Sequence, residues 1–263
     1  MPHYDNEERL AGGNVSDVYR VGATVRRELK PESRKVHKLL KHLEYKGFTY
    51  APRYIGIDEK GREILTFIEG KAGNDPNKEY MWSEGNLIEI ARMLRRYHDS
   101  VSDFHIEEDW APIDHTPQPF EVLCHNDFAI YNIIFKDEKP VGIIDFDVAG
   151  PGPRLWDIAY TLYTCVPLSR VFYSESGEAY PYKPSLHARH IKHRVQLFFK
   201  SYGVAMKKDY IDMVLLRLEG LTQTIQRKAE EGDRAFQEMV DEGHVEHYRK
   251  DIEFIRTHGN EWI

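Results

Sequence analysis

VLCHNDFAIYNIIF, residues 122–135, is an apolar run interrupted by His125, Asp127 and Asn132. Six residues further on, VGIIDFDVAGPG (141–152) is a second apolar run that breaks on acid, at Asp145 and Asp147. One polar break in a hydrophobic segment is commonly a turn; two in succession indicate a site. The spacing predicts a strand, a loop carrying Asp127, a short strand IIF, and a further strand VGIID ending on Asp145.

If the two latter strands form a hairpin, Asn132 at the start of one lies beside Asp145 at the end of the other. A carboxylate and an amide oxygen converging there suit a hard cation such as Mg²⁺, which is commonly held by few protein oxygens together with substrate phosphates. Asp127, earlier in the same loop, is free to accept a proton from an attacking hydroxyl. A base and two metal ligands are the parts that phosphoryl transfer requires. The alternative is a buried polar network without catalysis, and three motifs in order weigh against it.

The surrounding chain sets the frame. Its 263 residues suffice for one large domain or two lobes, and 41% hydrophobic and 12% aromatic residues mark a globular protein. The N-terminus is polar and acidic, unlike a signal peptide. The uncharged stretch from Ile158 to Ser169 is too short to span a bilayer. Cys124 and Cys165 are the only cysteines and offer neither a disulfide framework nor metal-ligand spacing. A cytoplasmic protein without a membrane partner is expected. Residues 1–70 carry a net charge of +2 and the remainder −9. That acidity disfavours nucleic acid and favours a cationic small-molecule partner, although a merely soluble acidic surface would look the same.

Residues 1–70 are expected to form strands and one helix. VSDVYRV and ATVRREL form a predicted hairpin, PESRKVHKLLKHLEYKGF a helix closed by Gly47, and RYIGI and REILTFI two more strands. GKAGNDPN (70–77) has linker composition, and the rest is mainly helical. The prediction is an α+β chain: a small antiparallel lobe over 1–70, a larger helical lobe over 71–263, and a ligand cleft between them.

His125-Asn126-Asp127 with Asn132, then Ile144-Asp145-Phe146-Asp147, then Trp156-Asp157-Ile158-Ala159 resembles the aminoglycoside phosphotransferase family of kinase-like enzymes. The resemblance runs from LAGGNVSDVYRV through WDIAY and weakens in the last third. It implies a bilobal protein-kinase-like fold and transfer of the γ-phosphoryl of ATP, or alternatively GTP, to a hydroxyl of a small molecule. It implies Asp127 as catalytic base, Asn132 and Asp145 as Mg²⁺ ligands, His125 as a brace for the loop, and Asp157 as the buried acid that organises it. Asp147 is expected to be structural. On the nucleotide side, the turn AGGNVSDV resembles the loop that covers the phosphates, with Ser16 as a phosphate contact. The adenine contacts would fall on the backbone of Thr66 and Ile68.

Two departures stand out. Arg26 occupies the position of the usual phosphate-binding Lys and is taken as the phosphate ligand, with Arg27 pointing the other way by strand alternation. The acid that pairs with that Lys from the helix is not visible; its expected position falls near Val36 or His37. Aminoglycosides would fit the acidic second lobe, but choline, homoserine, sugar or macrolide acceptors are equally compatible. A nucleotide-binding protein without activity is the rival from another class. No Ala-Pro-Glu segment follows IDFDVAGPGP, which disfavours a peptide substrate. His187, His190 and His193 recur every three residues and are expected to occupy a partly exposed helix face rather than a metal site.

Overall fold

The computed structural model describes residues 7–10, 18–73, 78–173 and 178–263. The AGGNVSD turn with Ser16 lies outside the described residues.

The first sheet has five strands, β1 (Glu8–Arg9), β2 (Val18–Val21), β3 (Thr24–Arg27), β4 (Tyr54–Ile57) and β5 (Glu63–Thr66). Their order is β1-β2-β3-β5-β4, with every pairing antiparallel. β2 and β3 pair from Val21↔Thr24, so the turn is Gly22-Ala23, and Gly22 takes φ +61° as tight hairpin turns require. Helix α1 (Ser33–Tyr45) buries Val36, Leu39, Leu40 and Leu43, the stripe that its helical spacing predicts.

At Gly70 the chain passes from the first sheet to the second. A Cβ there would lie 2.4 Å from the Phe135 carbonyl oxygen and φ is +146°, so only glycine permits the approach. Strand β6 (Lys71–Ala72) then pairs with β8 (Ile133–Lys136), which pairs with β9 (Lys139–Ile143). β7 (Val122–Cys124) pairs with β10 (Gly150–Gly152). β11 (Val171–Tyr173) and β12 (Ala179–Pro181) form a separate hairpin.

Around these small sheets lie α2 (Glu84–Ser100), α3 (Arg154–Cys165), α4 (Pro184–Tyr202), α5 (Tyr210–Glu230), α6 (Arg234–Asp241) and α7 (His244–His258). α2 packs on α4 and α3 on α5, with Tyr97, Phe128, Trp156, Phe198 and Leu218 fully buried among them. Such a core holds the loops between β7 and α3 rigidly, because each side chain is surrounded at close-packed density. Among the described residues no helix is long and apolar enough to cross a membrane.

Candidate active site

β7 delivers the chain into the loop 125–132, and the loop is latched from beneath. Asp157, fully buried in the first turns of α3, accepts from the backbone N–H of His125 at 2.7 Å and of Asn126 at 2.8 Å. The His98 ring lies 3.1 Å away at Nε2 and reaches Tyr202 Oη through Nδ1 at 2.8 Å. Burial pushes the Asp157 pKa up, but the His98 bond and the backbone donors outweigh it and hold the carboxyl below its ordinary range. This is the organising role that the resemblance implies for Asp157.

Asn126 has φ +65°, a conformation Asn tolerates better than most side chains. Its carbonyl accepts from Arg217 Nη2 at 2.5 Å, and its Nδ2 donates to the Val148 carbonyl at 3.0 Å. Arg217 is itself buried, its guanidinium 4.5 Å from the Tyr160 ring and 5.3 Å from that of Trp156. The buried ring of His125 packs 4.5 Å from Phe146 and accepts the Asp127 N–H at Nδ1, 3.2 Å. Burial lowers the His125 pKa to about 4, so it braces the loop as a neutral ring.

That frame holds Asp127 between two donors. Tyr131 Oη donates to Oδ1 at 2.5 Å, and Asn132 Nδ2 donates to Oδ2 at 2.7 Å and to the Asp127 carbonyl at 3.0 Å. Tyr131 Oη also lies 2.9 Å from Tyr160 Oη. Burial pushes the Asp127 pKa up to about 6, with the Asp145 charge adding and the two hydrogen bonds opposing.

The predicted hairpin is present. Ile133 pairs with Ile143, and the Ile144 N–H donates to the Asn132 carbonyl at 3.1 Å, which sets Asn132 beside the end of β9. Asp145 follows at φ +66°, a strained position of the kind that concentrates at functional sites, and its side chain is 49% exposed. Because Asn132 gives its amide nitrogen to Asp127, its amide oxygen is the atom left for a cation. Among the described residues no group of three or more His, Cys, Asp or Glu could hold a metal unaided. An amide oxygen and one half-exposed carboxylate nonetheless fit Mg²⁺ whose remaining ligands are phosphates and water.

The arginines are placed the other way round from the sequence reading. Arg26 Nη1 donates to Thr24 Oγ1 at 2.6 Å, and its Nε lies 3.8 Å from Asp58, away from the acids of the loop. Arg27 faces them. Its Nη1 and Nη2 grip both oxygens of Asp147 at 3.0 and 2.8 Å, Nη1 lies 3.8 Å from Asp145, and Nε donates to Glu63 at 2.5 Å. Strand alternation holds; the choice of face was reversed. Glu63 on β5 also supplies the acid sought on α1. It is fully buried, and His37 Nε2 contacts its other oxygen at 2.6 Å. His37 therefore joins the Arg27 cluster and not Arg26.

Asp147 also pairs with Lys30 at 2.7 Å. Burial raises its pKa, but Arg27 and Lys30 hold it below the ordinary carboxylate range, whereas burial and the Asp147 charge push Asp145 up. With both oxygens engaged, Asp147 is a link to β3, as its expected structural role requires. On the nucleotide side, the Thr66 N–H is spent on the Arg53 carbonyl at 2.9 Å. Ile68 lies beyond the strand, its side chain against Gly142.

Sequence reasoning missed Glu63, Tyr131 and Arg217. Two of them carried a signal: a charged residue inside REILTFI and another inside the apolar stripe VLLRL. Tyr131 carried none.

A small antiparallel sheet, a helical lobe and a loop of this construction define a kinase-like fold. It is shared with the amicoumacin kinase hAmiN in complex with AMP-PNP, Ca²⁺ and Ami (TM-score 0.63, 14% identity, 95% of this chain and 89% of that one). Choline kinase from Cryptosporidium parvum Iowa II is also similar (TM-score 0.60, 13% identity, 98% of this chain and 92% of that one). The model of the phosphotransferase enzyme family matches residues 104–189, which include the whole loop and Asp157. The trifolitoxin immunity protein of Rhizobium leguminosarum bv. trifolii is 34% identical over 211 residues, 78% of this chain and 77% of that protein. The chain belongs to the phosphotransferase enzyme family and is a small-molecule phosphotransferase.

Proposed function

We propose that the protein transfers the γ-phosphoryl group of ATP, with GTP as the alternative donor, to a hydroxyl of a small molecule. The convergence of Asp127, Asn132 and Asp145 on one loop and hairpin carries this reading. In it Asp127 orients the acceptor hydroxyl and takes its proton, which general-base catalysis requires within hydrogen-bond reach. Asn132 and Asp145 would hold Mg²⁺, which would supply neutralisation of charge on the phosphate oxygens. By resemblance the nucleotide base would meet the backbone of Thr66 and Ile68, and Ser16, outside the described residues, would be a phosphate contact. The name of the relative with 34% identity ties that protein to immunity against a toxin, which favours a toxic natural product as acceptor over a housekeeping metabolite. An aminoglycoside belongs to that class. The reading includes a cytoplasmic setting, where ATP is available.

The test is nucleoside diphosphate release with Mg²⁺ across aminoglycosides, macrolides, amino alcohols, sugars and hydroxylated peptides. Stimulation by one class, absent in Asp127→Ala, supports the reading. Saturable nucleotide binding without turnover on any acceptor would favour a binding protein that kept the fold.

The arginines make a sharper comparison. Arg27 is the guanidinium next to Asp145, so we assign it, and not Arg26, to the phosphates. Arg27→Ala should weaken Mg²⁺–ATP binding about 10- to 100-fold, the range for a charge-assisted contact. Arg26→Ala should change it less than about threefold, since its partners Thr24 and Asp58 are peripheral. Isothermal titration decides, and a larger loss for Arg26→Ala would return the role to Arg26.

Tyr131 is a positioning residue in this scheme, since its hydroxyl fixes the Asp127 carboxylate. Tyr131→Phe should lower kcat about tenfold, the cost of one hydrogen bond to a charged group, with the KM for nucleotide unchanged. A rise in nucleotide KM with unaltered kcat would refute that role.

A further inference from the structure

A cavity of about 730 Å³ opens beside the catalytic loop, and Tyr131, whose hydroxyl binds Asp127, forms part of its wall. Trp82, Tyr163, Phe172 and Tyr180 supply further aromatic wall, from the segment before α2, from α3 and from the β11–β12 hairpin. Two of the histidines from SLHARHIKH, His187 and His190 at the start of α4, also line it.

Among the described residues the charges around this cavity are not those of a polycation site: the carboxylates that line it are Glu79 and Asp251. Asp251 is fully buried and already engaged: Tyr163 Oη donates to it at 2.6 Å, and Arg170 Nε and His247 Nε2 lie 3.2 Å away. Facing them is Arg194, also buried, which donates to the carbonyls of Trp82 at 2.6 Å and Cys165 at 3.0 Å. Among the described residues Arg194 makes no ion pair, so a guanidinium with N–H groups to spare lines the cavity without a bound carboxylate. A buried charge in that state strongly favours an anionic partner. His187 adds a donor. Its Nδ1 accepts the Lys183 N–H at 2.9 Å, which puts the proton of the neutral ring on Nε2. Desolvation, with the nearby Lys183 and Arg194 charges, lowers the pKa of His187 and His190 and so favours their neutral rings.

We infer that the acceptor is a hydroxyl compound with an aromatic or similarly flat apolar body and an anionic group, seated between these rings and Arg194, and not a polyamine. The inference rests on the phosphotransferase reading above and deepens it. The net charge of −9 beyond residue 70 points to a cation only if it lines the site, and among the described residues only two of its carboxylates do. Several ammonium groups would meet two carboxylates, one already neutralised, and two guanidinium groups. Aromatic walls instead reward a flat ring, by stacking and by removing apolar surface from water.

The test uses anilinonaphthalenesulfonate, an aromatic anion whose fluorescence rises on leaving water, titrated into the folded protein. Uncharged N-phenylnaphthylamine and the polycation kanamycin serve as comparators. We expect saturable one-to-one binding of the sulfonate, at least fivefold tighter than the uncharged amine, without displacement by excess kanamycin. Phe172→Ala and Tyr180→Ala should each weaken it at least fivefold. Tyr180 is 44% exposed, so its variant keeps the test valid if a more buried change fails to fold. Equal affinity for the two dyes, displacement by kanamycin, or indifference to both substitutions would overturn the inference. Mg²⁺–ATP binding to the same preparation separates the two readings. Nucleotide binding without the predicted dye behaviour overturns only the acceptor class, and the reverse overturns the phosphotransferase chemistry but not the pocket.

Discussion

Asp127→Ala should lower the rate of phosphoryl transfer about 10²- to 10⁴-fold, the usual worth of a positioned general base. Mg²⁺–nucleotide affinity should stay within about threefold. The two effects separate because Asp127 contacts neither Arg27 nor the first sheet; its partners are Tyr131, Asn132 and the His125 ring. Removing the carboxylate leaves Asp145 on its own hairpin and Asn132 anchored through the Ile144 N–H. Single-turnover transfer on the acceptor found in the diphosphate screen, beside nucleotide titration, measures both. A variant with unchanged turnover would remove Asp127 from the chemistry. Equal loss of binding and turnover would make it a structural residue of the metal site.

Asp157→Ala should have the largest effect on stability, about 3–5 kcal/mol, because it strips a buried carboxylate from His98 and two backbone donors at once. In a chain of this size that corresponds to roughly 10 °C in Tm. Asp157→Asn, which keeps one acceptor oxygen, should lose about half as much. The pH dependence has a defined sign. The Asp157 pKa is lower folded than unfolded, so its contribution is present above about pH 4, the unfolded value, and is lost as pH falls through the folded one. The alanine variant should therefore differ from the parent most at neutral pH and least in strong acid. Denaturant unfolding at several pH values checks this, and a loss below about 1 kcal/mol at pH 7 would show that the loop is held elsewhere.

The two predictions act on different parts of one structure. Asp127 sits in a loop whose geometry is held from below by Asp157, Arg217 and the neutral His125 ring. A loop with two motif residues flanking it at positive φ, Asn126 and Asp145, needs such support, because that backbone is uphill for non-glycine residues. The Asp157 latch keeps the Asp127 loop in place.

Much of this was legible in the sequence because it is local. Asn132 and Asp145 are at facing ends of a short hairpin, and strand pairing alone brings them together. His125 and Asp157 were readable from motif spacing and family resemblance, and the α1 and α2 stripes from their helical period. Tertiary structure decided the rest. Alternation says that Arg26 and Arg27 point oppositely, but which one meets the loop depends on Asp147, 120 residues away, and on how the sheet faces it. The partner acid came from Glu63 on a neighbouring strand, where no spacing along α1 could reveal it. Two of the α4 histidines, His187 and His190, lie on the partly exposed face that sequence expects and also line a cavity, because Phe172, Tyr180 and residues of α7 such as His247 and Asp251 are brought beside them. Net charge by itself does not choose the acceptor for the same reason: a sum along the chain does not say which charges meet, and Coulomb interactions fall with distance and screening. Sequence determined the loop and hairpin that bring Asp127, Asn132 and Asp145 together; the packing of elements far apart in the chain decided which arginine faces them and which side chains line the cavity beside them.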